Sequence, residues 1–516
     1  MDKTRLTMVI NENDNVAVAV ENIAAGEQAK VGQEIIPANQ AVPRGHKIAR
    51  QAIAKGQPIV KYNRVIGMAS CDIQKGDWVH SHNVDDVTEQ LEAEAQKRMF
   101  EKFQSGDAEV KPHREAPKLS RTTVKVYPRP DGTVGVRNNI LVISIIQCAN
   151  LAAQKIAEQT GAHCITQEGG CLEFPDRLHR LIQGFTTAGC HPNTYGVLVV
   201  SLGCQQIKPD WVVDPIREAG REVHHLCLQT DGGFYDVVAK GASIVKTMQA
   251  KALNEQRVER PITDLILSAH CGGSDWTSGL SANPVTGGVL DIHEAIGGTV
   301  VVGSGRGNQI TQCASKEVLE QMMEIGDRFR EDCKIRNGKG MSEVNPTPGN
   351  KAGGLTTLEE KNLGTHQSTG HGLIRGFIEV GERAPEKGFW GIDQCHGNND
   401  SFGVTGSAMS GANFVLFTTG RGTMLGNACA PTIKLTGNQE TYDKMSEFFD
   451  YCAAPVMRGE KTIEQASVEL YELMLDLAEG KLTAAEILGD YSWTIPHAKS
   501  LNGDYAPVPP TCPALE

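Results

Sequence analysis

The sequence predicts an α/β protein of two unequal parts: a small N-terminal β module, then a charged linker leading to a large α/β region with mostly parallel sheets. Three observations carry that reading. Short apolar stretches broken by tight turns crowd residues 14–84, residues 87–118 are polar and strongly charged, and from 119 onward short apolar runs alternate with helical patterns. Parallel strands joined by helices gather their loops, and hence their ligand sites, at the strand ends.

In the module, DNVAVAV alternates before a glycine turn, and the following segments are punctuated by RG, KG and NR, the rhythm of a compact β unit. The module is placed at 1–90 and the linker at 91–118, where TEQLEAEAQKRMFEKFQSGDAEVKPHREAPK reads as partly helical. Two α/β domains are expected after it, at 119–345 and 346–516. Their strands are read from NNILVISII, YGVLVVSLGC, ITDLILSAHC, GTVVVGSG, GFWGID, ANFVLFTTG and APTIKLTG. The stretches EVLEQMMEIGDRFREDCKI and EKTIEQASVELYELMLDLAEG have helical spacing, the second stopped by glycine. No internal repeat stands out.

At 516 residues the chain exceeds one ordinary core, so two or three domains are expected. A formal charge of −12 and a pI near 5.7 argue against nucleic acid as the main partner, because phosphate binding needs a basic face. An anionic substrate then needs a local Lys/Arg cluster. No run reaches the ~18 apolar residues of a membrane span, and the first residues lack the apolar core of a signal peptide. Fourteen cysteines without a CxxC pair are expected to stay reduced. A cytoplasmic protein is expected, a homo-oligomer with a small-molecule partner and neither nucleic acid nor membrane.

Three cysteines share one local grammar. Cys204 ends VLVVSLGC, Cys271 ends LILSAHC, and Cys171 follows a glycine pair in CITQEGGC. If their strands are parallel neighbours, the thiolates converge on one face, where soft ligands suit iron or an iron–sulfur cluster; singly, each reads as a small buried residue. Cys271 opens CGGSD, in which Ser274 and Asp275 add a hydroxyl and a carboxylate, the latter a ligand, a base or a simple turn cap. NPTPGNKAGGLTTLEEKNLG brings Asn350, Lys351, Glu359, Glu360 and Lys361 amid glycines, without Walker A spacing. Arg421 in FTTGRGT and Arg137 in TVGVRNN suit bidentate capture of a carboxylate. His46 in PRGHK, flanked by Arg44 and Lys47, is placed to reach over an anionic substrate on the other domain. His80 and His82 form a possible ligand pair, and His396 in DQCHGNND a possible proton carrier.

These stretches, in order along nearly the whole chain, resemble a known family. RGHKIA and its surroundings are similar to the SAF-type β-clip domain. DGTVGVRN, LGC, CGGSDxxSGxxANP, NPTPGNKAGGLTTLEEKNLG and FTTGRGT resemble motifs of the altronate and galactarate dehydratases. The resemblance implies loss of water from a sugar acid to give a 2-keto-3-deoxy product, with a divalent metal, most often Fe2+. Such chemistry needs a base for the α-proton, stabilisation of the enediolate, and an acid or Lewis acid for the departing hydroxyl. The expected roles are catalysis by His46, Asp275 and Lys351, substrate binding by Arg137, Ser274, Asn350 and Arg421, and metal ligation by Cys171, Cys204 and Cys271.

Departures from the pattern accompany the match. Gln167 stands where the family's His-x-Tyr-Gly-Cys motif has histidine, Gln205 where glutamate follows LGC, and Met424 where GRGTPxG has proline. Two other outcomes therefore stand beside the dehydratase: a lyase eliminating sulfite from a sulfonated hydroxy acid, and a non-catalytic relative that binds a small carboxylate.

Overall fold

The computed structural model describes residues 4–108, 117–304, 307–393 and 399–495. Its N-terminal module contains a six-stranded sheet, in the order 34–37, 28–31, 5–8, 16–19, 47–49 and 78–79, beside a three-stranded one of 58–61, 64–69 and 84–85. Two small cores fill it, one around Ile23, Ile36 and Ile48, the other around Ile53, Ile59 and Ile66.

The module holds an internal repeat of about thirty residues that the sequence reading did not find. The bridge Ile23↔Val42 recurs as Ile53↔Ile73, and the turn bond from Gly26 N–H to Ala38 O recurs from Gly56 to Ala69. The residues shared are few, Ile23-Ala24-Ala25-Gly26 against Ile53-Ala54-Lys55-Gly56, while the rest of the two halves shares hydrogen bonding and apolar positions.

The linker is a docked helix over its first half. Thr88–Ser105 is α-helical, and Met99 is buried in the core of the large region, with Phe100 and Phe103 packed against it. The charged face outside that stripe explains why the segment reads as solvated sequence.

A three-stranded antiparallel sheet (134–135, 123–128, 258–261) then ties the entrance and exit of the next unit together. That unit is a four-stranded parallel sheet in the order His163–Ile165, Asn139–Ser144, Thr194–Ser201, Glu222–Cys227, with helices on both faces. The last unit is a seven-stranded parallel sheet: Ile374–Glu379, Phe389–Asp393, Thr299–Ser304, Ile266–Cys271, Phe414–Thr418, Thr432–Thr436, Tyr451–Cys452. Its strands are apolar runs because both faces are covered.

The boundary expected at 345 is corrected by this sheet. Strands 299–304 and 389–393 lie on opposite sides of residue 345 and pair directly, Val300 with Phe389 through Ser304 with Asp393. The division between sheets falls instead between helix Gly233–Asn254 and strand Ile266–Cys271. The helix expected near 460–480 runs from Ile463 to Ala478, started by a Thr462–Gln465 capping box.

Candidate functional site

Ile266–Cys271 is the central strand of the seven-stranded sheet, so Cys271 ends it at the carboxyl edge where open parallel sheets bind ligands. The two glycines that follow are there for space. A Cβ on Gly272 would lie 2.1 Å from Asp400 Oδ2, and one on Gly273 (φ +56°) would lie 2.6 Å from Thr423 Oγ1. The loop is thus threaded between the start of helix Asp400–Met409 and the segment after strand Phe414–Thr418. Arg421 N–H donates to the Gly273 carbonyl from that segment.

The N-terminal module closes over this edge. Gly45 has φ +83°, and a Cβ there would meet the Trp276 ring at 2.2 Å, so only glycine lets the backbone approach so closely. His46, the next residue, is buried; its Nε2 faces the Ala352 carbonyl at 3.4 Å, and Trp78 Nε1–H donates to its Nδ1 at 3.2 Å. With Nδ1 accepting, the ring proton is assigned to Nε2. Burial, with the Lys47 charge beside it, lowers the His46 pKa, and burial takes His80 down to about 3. Both rings are therefore neutral near pH 7. His80 Nδ1 contacts Thr356 Oγ1 at 3.2 Å.

Beneath them lies a buried ion cluster. Glu360 receives Lys47 Nζ at 2.9 Å and Lys61 Nζ at 2.7 Å, all three side chains essentially without solvent. Burial alone would raise the Glu360 carboxyl, but Lys47 and Lys61 together hold it well below the usual range. Lys47 also donates to the Gly354 carbonyl. The neighbouring Glu359 has no such help. It is buried with one carboxyl oxygen lacking a hydrogen-bond partner, and burial, with Glu92 and Asp86 nearby, raises it to about 7. A cavity of about 830 Å³ opens along the same seam, lined by Met8, Val20, Arg44, Trp276 and Asn438 among others.

The structure sorts the expected site residues into two groups. His46, Lys351 and Arg421 stand around the Cys271–Asp275 loop. Lys351 sits half-buried at the end of the short helix Pro348–Ala352, and Arg421 is exposed, its Nε 4.0 Å from a Cβ position on Gly349. Neither cation has an ion-pair partner among the described residues.

The second group serves structure. Asp275 Oδ1 accepts from Thr277 N–H and Oγ1–H, and Oδ2 from Asn438 Nδ2, so the carboxylate locks a turn instead of facing substrate. Asn350 is a latch: its Nδ2 donates to the Ser274 carbonyl, while its Oδ1 accepts from Thr347 and Lys361. Ser274 Oγ is 3.1 Å from Cys271 Sγ, which also accepts from Asn283 Nδ2 at 3.5 Å. Arg137 is elsewhere, held by both oxygens of Glu486 and by the carbonyls of Leu477 and Lys481. That ion pair spans 349 residues of sequence, so nothing near Arg137 announces it.

The expected convergence of Cys171, Cys204 and Cys271 is also corrected. Cys171 and Cys204 lie on the connections at the carboxyl edge of the four-stranded sheet, whereas Cys271 ends a strand of the seven-stranded one. Among the described residues no three His, Cys, Asp or Glu side chains are grouped to hold one metal ion. The three cysteines therefore do not fit a shared iron, and His396 lies outside the described residues. The family's missing histidine and glutamate belong to the same edge as Cys171 and Cys204. Gln167 braces its own loop through Ile145 O and the Gly169 backbone, and Gln205 accepts from Gly203 N–H.

One pair escaped the sequence reading. His270 Nε2 lies 3.5 Å from Asp400 Oδ1, beside Gly272, with the ring stacked on Phe417. A histidine inside an apolar strand and an aspartate at a distant helix start give no joint signal until the sheet is folded.

Comparison with known proteins gives this arrangement its context. Family profiles match residues 5–87 (altronate/galactarate dehydratase SAF domain), 126–253 (D-galactarate dehydratase/altronate hydrolase, second domain) and 262–500 (D-galactarate/altronate dehydratase, C-terminal). Altronate dehydratase of Escherichia coli K12 is 31% identical over 499 residues, covering 92% of this chain and 96% of that protein. The chain belongs to the altronate and galactarate dehydratase family. Members of this family named in the comparison are lyases. The altronate dehydratase of Bacillus subtilis 168 is 30% identical, again over 92% and 96% of the two chains. A further relative of this family member is the β subunit of (2R)-sulfolactate sulfo-lyase from Chromohalobacter salexigens, 32% identical over 72% of this chain and 96% of that subunit. The profile boundaries agree with the sheets: the break between the second and third matches, at 253–262, is where one parallel sheet gives way to the other.

Proposed function

We propose that this family member removes water from a sugar acid of the altronate or galactarate type, giving a 2-keto-3-deoxy acid, in the cytoplasm and with a divalent metal. The single observation that supports this most is the pairing of unspent cations with shielded histidines at one sheet edge. Lys351 and Arg421 supply charge for a carboxylate, and Arg421 supplies a planar fork for it. His270, paired with Asp400, is the base for the α-proton. The Asp400 carboxylate, 3.5 Å from Nε2, holds the ring in its orientation. The proton that His270 takes is passed to the departing hydroxyl, which leaves as water, while neutral His46 offers its Nε2–H as a hydrogen bond to that oxygen in place of the Ala352 carbonyl. Its neutral state leaves the module's face free of a second cation where the leaving group forms. A divalent metal in such an enzyme supplies Lewis acidity. The described residues around Cys271 do not form a pocket for it, and these roles do not depend on it.

Incubation with a panel of aldonates and aldarates, followed by assay of keto acid, tests the reading. One 2-keto-3-deoxy product from a single stereochemical series is expected; no turnover of any sugar acid by metal-supplemented protein contradicts it. Elimination of sulfite is favoured by a specific observation, the match over 96% of a sulfo-lyase subunit. Keto acid formed with equimolar sulfite from a sulfonated hydroxy acid would replace the dehydratase reading.

A further inference from the structure

The cavity of about 830 Å³ along the seam is not used by the proposed chemistry: none of His46, His270, Lys351, Asp400 and Arg421 lines it. Its two walls belong to different parts of the chain. Leu6, Met8 and Val20 come from the N-terminal module, and Trp276, Ala454 and Met457 from the large region, the last two on the short helix Ala454–Met457. The cavity is therefore complete only while the module is docked. Its size lies within the range of small-molecule pockets, roughly 300–1,000 Å³, and such pockets share its mostly apolar lining.

The polar side chains on the walls define what a ligand must carry. Most of them are spent. Thr7 Oγ1 donates to the Lys30 carbonyl and Thr277 Oγ1 to Asp275 Oδ1. Asn438 holds Asp275 Oδ2 with its Nδ2 and caps the helix Gln439–Lys444 with its Oδ1. Gln439 Oε1 accepts from Arg458, whose Nε and second terminal nitrogen are forked onto Glu460. Two donors are left. Arg44 Nε is buried without a hydrogen-bond partner among the described residues, although the same guanidinium pairs with Glu440 and its Cζ lies 5.9 Å from the centre of the Trp276 ring. Lys30 Nζ, at the exposed rim, has no ion pair among the described residues. No carboxylate lines the cavity among those residues. Apolar walls with only cationic donors unspent suit a ligand with an apolar body and one anionic end. A sugar acid, hydroxylated along its length, would bury its hydroxyls against Leu6, Met8 and Met457 without partners, which is costly.

We propose that this cavity binds a small amphipathic anion, an apolar chain bearing one carboxylate, as an effector that clamps the N-terminal module onto the seven-stranded edge. The route to the reacting groups is short. Trp276 is both a wall of the cavity and the surface on which Gly45 is seated, one residue before His46. Asn438, on the same wall, fixes the Asp275 turn that follows the Cys271 loop. A ligand held between the two walls has no complete site on an undocked module. By linkage its binding favours the docked state, the more so the tighter it binds. The effector touches no reacting atom; it acts through the position of the module that carries His46.

The test titrates the full chain with octanoate by calorimetry, with octanol as the neutral control. Tryptic release of the module, by cleavage at Lys97, Arg98 or Lys102 of the helix Thr88–Ser105, is followed in parallel. One octanoate per chain and slower release of the module are expected. Octanol should bind at least about tenfold more weakly, the worth of one charge-assisted contact. Leu6→Asp on one wall and Met457→Asp on the other should each weaken octanoate by at least about tenfold. Ile35→Asp, exposed on the module but outside the cavity, should leave the affinity unchanged. Melting temperatures without ligand confirm that each variant is folded. Absence of saturable binding, equal affinity for octanol, loss of affinity in the variant of one wall only, or binding that does not slow release would each overturn the proposal. Displacement of octanoate by the sugar acid the protein converts would overturn it too, because the cavity would then belong to the substrate site. Binding is read independently of turnover, so a protein that binds octanoate and converts no sugar acid contradicts only the proposed function.

Discussion

The two parallel sheets end in carboxyl edges of the same kind, and what covers them differs. At the seven-stranded edge the N-terminal module lies across the loops, bringing His46, Lys47 and Lys61 to residues near 350–360. At the four-stranded edge three thiols and several large apolar side chains remain exposed. The lesson is that a strand-end position nominates a site, while the element packed over it decides its chemistry. Burial beneath the module strips water from histidines and carboxylates and shifts their protonation. The open edge leaves thiols available to an external ligand.

The largest effect that would break the comparison is chemical. His270→Gln should lower kcat by about 100- to 10,000-fold, the usual worth of a general base, while leaving the fold intact. Asp400→Asn should lower it less. An unchanged kcat in His270→Gln would move the chemistry away from the seven-stranded edge.

Next comes the seam. Glu360→Gln leaves two buried lysines sharing no counter-ion and should cost about 3–5 kcal/mol, seen in denaturant unfolding and in proteolysis of the module. A loss under about 1 kcal/mol would mean that the module is held by its apolar contacts alone.

A smaller effect distinguishes the two neighbouring glutamates. Glu359 is raised from 4.5 to about 7 in the folded protein, so its favourable neutral form contributes fully below pH 4.5 and is lost as the pH climbs through 7. Stability should fall over that window by up to roughly 3 kcal/mol, and Glu359→Gln should flatten the dependence. Glu360 runs the other way: its depressed carboxyl stabilises above the unfolded value of 4.5, and that contribution is lost only in stronger acid. An unaltered slope in Glu359→Gln would remove this residue from the seam's pH response.

The smallest effect concerns substrate grip. Arg421→Ala should raise KM by about tenfold, with kcat changed less, as expected for loss of one charge-assisted contact of about 1.5 kcal/mol. Arg137→Ala should leave KM unchanged while destabilising the protein, because Arg137 is committed to Glu486.

Most strands were readable from apolar runs, since burial on both faces leaves little else for such strands to be. The boundary at 345 was misjudged because parallel pairing joins strands far apart in sequence, and no local composition records Val300 meeting Phe389. The glycines of CGGSD leave room for a close approach whose other side, Asp400, lies 128 positions beyond Gly272, where no local pattern names it. In isolation Asp275 looks catalytic and Arg137 looks placed to bind substrate. Their hydrogen-bond partners, Asn438 and Glu486, show that both are spent on structure. The convergence of three cysteines assumed one sheet where the chain builds two.

The central claim is that the N-terminal module supplies half of the reacting groups at the seven-stranded edge. The most direct measurement is steady-state kinetics of His46→Gln on the sugar acid the wild type converts, with thermal unfolding in parallel. The account predicts a fall in kcat of at least about 100-fold at an essentially unchanged melting temperature. Wild-type kcat in a folded His46→Gln protein would contradict it, and the module would then be a lid without chemistry.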